Sequence, residues 1–163
     1  MKINSIEKSI AAGQNLTIRL MQHEDVEAVT LLEAKALSMP WHAKDFWDIV
    51  NREDSVYVVA VIQNQIAGCC GVTNACGDGD INNVVVEESL RHRGIGRFMM
   101  ENMMDWGKEI GIENYTLEVR VSNISAIGLY ESLGFVSGGI RPNFYEKPHE
   151  DAMIMWKRQE VDG

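Results

Sequence analysis

Residues 84–96 read Val84-Val85-Val86-Glu87-Glu88-Ser89-Leu90-Arg91-His92-Arg93-Gly94-Ile95-Gly96. The three valines form a short apolar run of the kind carried by a strand buried on both faces. After the polar loop a second period takes over, and Phe98, Met99, Met103, Trp106 and Ile110 recur at helical spacing through Gly94–Ile110. A strand feeding a helix in this way brings the unpaired first-turn amides and the positive end of the helix dipole to the loop. Glycine lets backbone approach a phosphate closely, and arginines add charge-assisted hydrogen bonds. Arg91, His92, Arg93, Gly94, Ile95, Gly96 and Arg97 therefore make a candidate pyrophosphate site. A side chain at Gly96 is expected to fill the phosphate position. The Gly-Lys-Ser/Thr ending of a P-loop is absent, as is the third glycine of a dinucleotide fingerprint.

Working outward, Tyr115–Val119 reads as the next strand. Ser122 or Asn123 opens a helix that runs to Leu133 and stops at Gly134. Phe135 begins another strand, and Ala152–Lys157 is the closing one. Upstream, Thr17–Met21 is a strand, Val26 to Leu37 a helix ended by Pro40, and Ala43–Arg52 a second helix. Ser55–Ile62 and Ile66–Thr73 form an antiparallel pair. Residues 76–80 read as a loop by composition, followed by a strand over Ile81–Val86. The order β-α-α-β-β-β-α-β-α-β-β predicts a mixed α+β fold, a single domain with one mostly antiparallel central sheet and about four helices. Residues 1–16 show no clean period and read as a frayed lead-in, residues 17–158 as the domain, and 159–163 as a tail.

The chain has 163 residues and a net charge of −9. The acidity is spread evenly, with 6 basic and 11 acidic residues in 1–80 and 9 and 13 in 81–163. Such a surface disfavours nucleic acid and suits a cationic partner. No run reaches the ~18 apolar residues of a membrane span, and Met1-Lys2-Ile3-Asn4 does not open a secretory signal, so a cytoplasmic address is expected. Cys69 and Cys70, adjacent on a strand, face opposite ways, which makes a metal site unexpected and small buried hydrophobes the reading.

Arg91-x-x-Gly94-x-Gly96 resembles the pyrophosphate signature of the GNAT N-acetyltransferase superfamily, and Leu117 to Phe135 (LEVRVSNISAIGLYESLGF) resembles the second half of that fold. Met39-Pro40-Trp41, Arg141-Pro142-Asn143-Phe144-Tyr145 and His149–Met155 extend the likeness toward the ribosomal-protein-alanine N-acetyltransferase (RimI) family. The resemblance covers roughly residues 17–157.

It implies acetyl-CoA as co-substrate, with the pyrophosphate on Arg91 and the backbone from Arg93 to Gly96. The pantetheine arm would run along Val84, Val85 and Val86, in a slot where that strand splays from Tyr115–Val119. Asn123 would hydrogen-bond the cofactor, Glu118 would be the general base and Tyr130 the general acid. Trp41 and Tyr145 would border the acceptor. The implied acceptor is a basic protein N-terminus, the alanine of a small-subunit ribosomal protein. Glu87-Glu88 stand where the family often has Asp-Pro, and Arg141-Pro142, in a loop bordering the acceptor, where it often has two arginines. Two alternatives stay open: acetylation of a small-molecule amine or a lysine side chain, and an acyl-CoA-binding regulatory module without turnover.

Overall fold

The structure, a computed structural model, describes residues 6–9 and 15–159. Eight strands form one sheet in the order β1-β2-β3-β4-β5-β6-β8-β7. They are β1 (Ile6–Ser9), β2 (Asn15–Leu20), β3 (Ser55–Ile62), β4 (Gln65–Ala75), β5 (Asp78–Val86), β6 (Asn114–Arg120), β7 (Val136–Tyr145) and β8 (Glu150–Arg158). The helices are α1 (Val26–Ala36), α2 (Ala43–Ile49), α3 (Ile95–Glu109) and α4 (Ile124–Ser132). Every neighbouring pair is antiparallel except β5 and β6. The mixed α+β domain expected from the sequence is the fold observed.

Strand alternation divides the core in two. On β3, Val56, Val58 and Ala60 face α3 and α4, whereas Tyr57 and Val59 face α1 and α2. On β4, Cys70 enters the first cluster and Cys69 the second, the opposite facing expected of adjacent strand residues. Met99, Met100 and Met103 of α3 are fully buried and fill the larger layer, a role suited to unbranched, adaptable side chains.

Most boundaries shift by a residue or two, and four departures from the sequence reading are larger. Ile6–Ser9, inside the stretch read as a lead-in, pairs with β2 from Ile6↔Ile18 to Ser9↔Asn15. The rest of 1–14 lies outside the described residues. The expected loop over 76–80 shrinks to a hairpin turn, because Cys76 (φ 54°) and Gly77 (φ 96°) both turn left-handed and β5 already begins at Asp78. The Asn74 carboxamide oxygen accepts from the Gly77 amide at 2.8 Å and braces that turn. α2 stops at Ile49 rather than Arg52. Finally, the run from Arg141 to Tyr145 is strand, not loop, and Pro142 is tolerated there because β7 lies at the sheet edge. No described helix is long and apolar enough to cross a membrane.

α3 packs against β6 through Gly107, where a Cβ would strike the Tyr115 hydroxyl. That hydroxyl donates to the Met104 carbonyl at 2.8 Å. Alanine is the better helix former by ~1 kcal/mol, but overpacking here should outweigh the gain. Gly107→Ala is expected to lose about 1–3 kcal/mol in urea denaturation, and a stabilised variant would contradict the packing.

Candidate active site

The site begins with a strand pair that comes apart. β5 and β6 pair in parallel over Asp78↔Asn114, Gly79↔Tyr115 and Asp80↔Thr116 only. Beyond that point β5 stays with β4, and β6 stays with β8 through Arg120↔Ala152. The divergence is helped by a bulge. Between Cys69↔Val85 and Gly71↔Asn82, β5 carries one residue more than β4, and Asn83 within it has φ 61°. A bulge bends and twists its strand, here just after the last β5–β6 pair.

A cavity of about 540 Å³ lies along this opening. Val84, Val85 and Val86 line one wall, and Asn123 and Tyr130 of the α4 segment another. Arg91, His92, Gly94, Ile95, Gly96 and Arg97 close the end at the start of α3. Eleven of the twelve residues expected to meet the cofactor thus line one space. Arg93 is exposed and does not line it.

Each position has a local cause. Gly94 is the N-cap of α3 and is left-handed (φ 81°), which a side chain tolerates poorly. At Gly96 a Cβ would meet Leu129 at 3.3 Å and Val86 at 3.6 Å, so it would crowd the cavity walls. Arg91 Nε donates to the Val86 carbonyl at 3.1 Å and ties the loop to the strand. Arg97 is held by Ser132 Oγ at 2.7 Å and Glu101 at 3.1 Å. Asn123 caps α4 by accepting from the Ala126 amide at 3.2 Å through Oδ1, a bond that does not use its amide donors.

The two candidate proton carriers sit in different surroundings. Tyr130 is buried, with its ring against Phe135 at 6.0 Å. Burial pushes its hydroxyl pKa up, and Cys70 and Tyr145 add to the effect. Glu118 on β6 does not line the cavity. It is partly exposed and accepts from Arg141 Nη1 at 3.0 Å through Oε1.

Tyr145 is pushed up to about 12 by burial, with Glu118 and Glu150 adding and Arg120 opposing. It therefore lies within electrostatic reach of both candidates. The Arg120 guanidinium stacks over the Tyr145 ring at 4.4 Å and also bonds Glu150, Ser38 and the Glu146 carbonyl. That contact joins the loop after α1 to the β7–β8 hairpin. Trp41 is half-buried and stacks on Tyr57 at 5.6 Å, so much of its ring serves the core. Among the described residues no group of three or more metal-ligating side chains occurs.

Several lining residues escaped the sequence reading. Ala126 and Leu129 recur at i+3 and i+6 from Asn123, a helical stripe that could have found them. Ala36 and Leu37 also line the cavity, although α1 packs on the other face of the sheet. No local pattern carries that information. Arg141 as the partner of Glu118 was equally invisible.

The acetyltransferase (GNAT) sequence pattern matches residues 26–135, the span that builds this cavity. The chain belongs to the GNAT acetyltransferase family. A relative from Salmonella typhimurium, a ribosomal protein bS18-alanine N-acetyltransferase, is 33% identical over 142 residues, covering 85% of this chain and 95% of its own. The crystal structure of the Escherichia coli ribosomal-protein-S18-alanine N-acetyltransferase superposes with a TM-score of 0.82 at 30% identity, over 91% of this chain and 96% of that one. Ard1 from Thermoplasma volcanium shares the fold, with a TM-score of 0.81 at 24% identity, over 90% of this chain and 99% of that one. As a GNAT enzyme the protein is an acetyl-CoA-dependent N-acetyltransferase, and its residues fit that co-substrate. A 15-residue helix presents its first-turn amides beside Arg91 and His92, and an apolar strand runs from there along the slot.

Gly96→Val is expected to weaken CoA binding at least about tenfold in calorimetry, because the new side chain crowds Leu129 and Val86. Gly94→Ala has open space around its Cβ and should instead cost about 1–2 kcal/mol of stability for the left-handed backbone. Equal CoA affinity of a folded Gly96→Val variant and the wild type would contradict the placement.

Proposed function

We propose that this enzyme transfers the acetyl group of acetyl-CoA to a protein N-terminal α-amine, the alanine of a small-subunit ribosomal protein, in the cytoplasm. The observation that carries this reading is the near full-length likeness to the Salmonella typhimurium bS18-alanine N-acetyltransferase, 33% identical over 142 residues. The net charge of −9 supports a basic acceptor.

In this proposal Val84–Val86 hold the pantetheine arm, and the amides from Arg93 to Gly96, with Arg91, hold the pyrophosphate. An α-ammonium of pKa ~8 is largely protonated at neutral pH, and only the neutral amine attacks a thioester. Glu118 takes the proton, directly or through water. The nitrogen lone pair forms the C–N bond at the carbonyl carbon, the nitrogen then gives its second proton to solvent, and the tetrahedral intermediate collapses with cleavage of the C–S bond. Tyr130 donates its hydroxyl proton to the departing thiolate and is later reprotonated from solvent. Burial keeps that hydroxyl protonated well above neutral pH, which suits an acid. Arg141 occupies Oε1 of Glu118, so an incoming ammonium competes with a guanidinium for this carboxylate. Trp41 and Tyr145 border the acceptor side.

Acetyl-CoA turnover against short peptides and small amines tests the acceptor. An alanine-initiated basic peptide should be the best substrate. Preference for a small amine or an internal lysine would replace this reading, and acetyl-CoA binding without turnover on any amine would favour a regulatory module. Glu118→Gln should keep CoA affinity and lose about 10²–10⁴ in rate, with a smaller loss at high pH where the amine is already neutral. Tyr130→Phe should fold, bind acetyl-CoA normally and lose kcat more than it raises KM, whichever acceptor is used. Wild-type rates in either variant would remove that residue from the mechanism.

A further inference from the structure

Glu33 of α1 is a carboxylate that the chemistry above does not use, yet it is 0% exposed. Its partners are neutral. Oε1 accepts the Trp41 backbone amide at 2.8 Å and Asn83 Nδ2 at 2.8 Å, and Oε2 accepts the same Asn83 nitrogen at 3.0 Å. The Tyr57 hydroxyl completes the chain by donating to Asn83 Oδ1 at 2.9 Å. Room for the Tyr57 ring comes from Gly71, where a Cβ would fall inside it. Burying a carboxylate without a cation is costly unless hydrogen bonds repay it. Burial indeed raises the Glu33 pKa, against the bonds from Trp41 and Asn83.

What the carboxylate holds is informative. Asn83 is the left-handed residue of the β5 bulge, directly before the valines that line the slot. Left-handed backbone is unfavourable for any residue with a side chain, and asparagine only lessens the penalty. Trp41 belongs to the segment between α1 and α2, whose Ser38 is bonded by Arg120, the same guanidinium that stacks on Tyr145. One buried carboxylate thus ties the bend of the acyl-bearing strand to the segment facing the acceptor side.

We propose that Glu33 is a positioning residue for acetyl transfer, clamping Asn83 so that the β5 bulge holds the slot open beside the acceptor segment. The proposal rests on the acetyltransferase reading and adds a residue that touches neither substrate.

The test is a double-mutant cycle of Glu33→Gln and Asn83→Ala, with CoA calorimetry and amide hydrogen exchange beside the kinetics. Glu33→Gln keeps the shape but sets an amide donor against Asn83 Nδ2. It is expected to lower kcat about tenfold while KM for both substrates and CoA affinity stay within about threefold. The double variant should lose no more than about twofold beyond the worse single, because both act through one contact. Exchange at the Val84–Val86 amides should quicken about tenfold, with the α3 amides unchanged. Wild-type kcat and exchange in Glu33→Gln, or losses that multiply in the double variant, would overturn the proposal. If either variant fails to fold, Tyr57→Phe decides. It removes one hydroxyl and keeps the ring, and should slow turnover about threefold or more at unchanged CoA affinity; a wild-type rate would overturn the clamp. The exchange measurement needs no acceptor, so it judges Glu33 even if the wild type turns over no amine tested.

Discussion

Three residue pairs hold the two halves of this sheet together. Asp78, Gly79 and Asp80 meet Asn114, Tyr115 and Thr116 in the parallel β5–β6 ladder, and the strands then part. A longer ladder would leave no slot for a thioester, and a shorter one would uncouple the β1–β5 half from the β6–β8 half. Tyr115 secures the junction from below, since it is fully buried and bonded into α3. The bulge at Asn83 bends β5 away from above. The open site therefore depends on tight packing next to it, as expected when rigid elements hold a preorganised site.

Parting the strands also separates chemical tasks by environment. The α3 end offers helix-terminal amides and arginine, suited to anionic phosphates. The middle is valine, suited to a neutral arm. On the β6–β8 side, charges are already paired: Glu118 with Arg141 and Arg120 with Glu150. Tyr130, sunk in the core layer with Leu117 and Phe135, meets the slot from an apolar setting. Burial favours its neutral form there. In the proposed mechanism the carboxylate near solvent takes a proton and the phenol in the core gives one.

Much of this could be read in the sequence, and the reasons are physical. Val84–Val86, the Arg91–Gly96 loop and the α4 segment are contiguous runs, marked by local chemistry or by the family resemblance, and one cavity brings nearly all of their singled-out residues together. The helices and core strands follow from periodicity, as with Val56, Val58 and Ala60 against Tyr57 and Val59. Where the reading missed, the cause was either turn geometry or tertiary contact. Cys76 in a left-handed turn is not typical turn chemistry, so Asp78–Asp80 looked like loop. Nothing local in the sequence singles out Glu33, and only the fold brings it to the Asn83 bulge, 50 residues away. Glu118 and Arg141, Ala36 and Leu37, and the Arg120–Tyr145 stack are likewise long-range facts.

The central claim is that one slot between β5 and β6 holds the acetyl donor with its phosphates at α3 and its sulfur at Tyr130. A crystal structure of the protein with acetyl-CoA tests it most directly. The account predicts the pyrophosphate on the amides opening α3, the pantetheine arm along Val84–Val86, and the Tyr130 hydroxyl within hydrogen-bonding reach of the sulfur. A donor bound elsewhere, or a sulfur remote from Tyr130 with the arm off the valine strand, would contradict it.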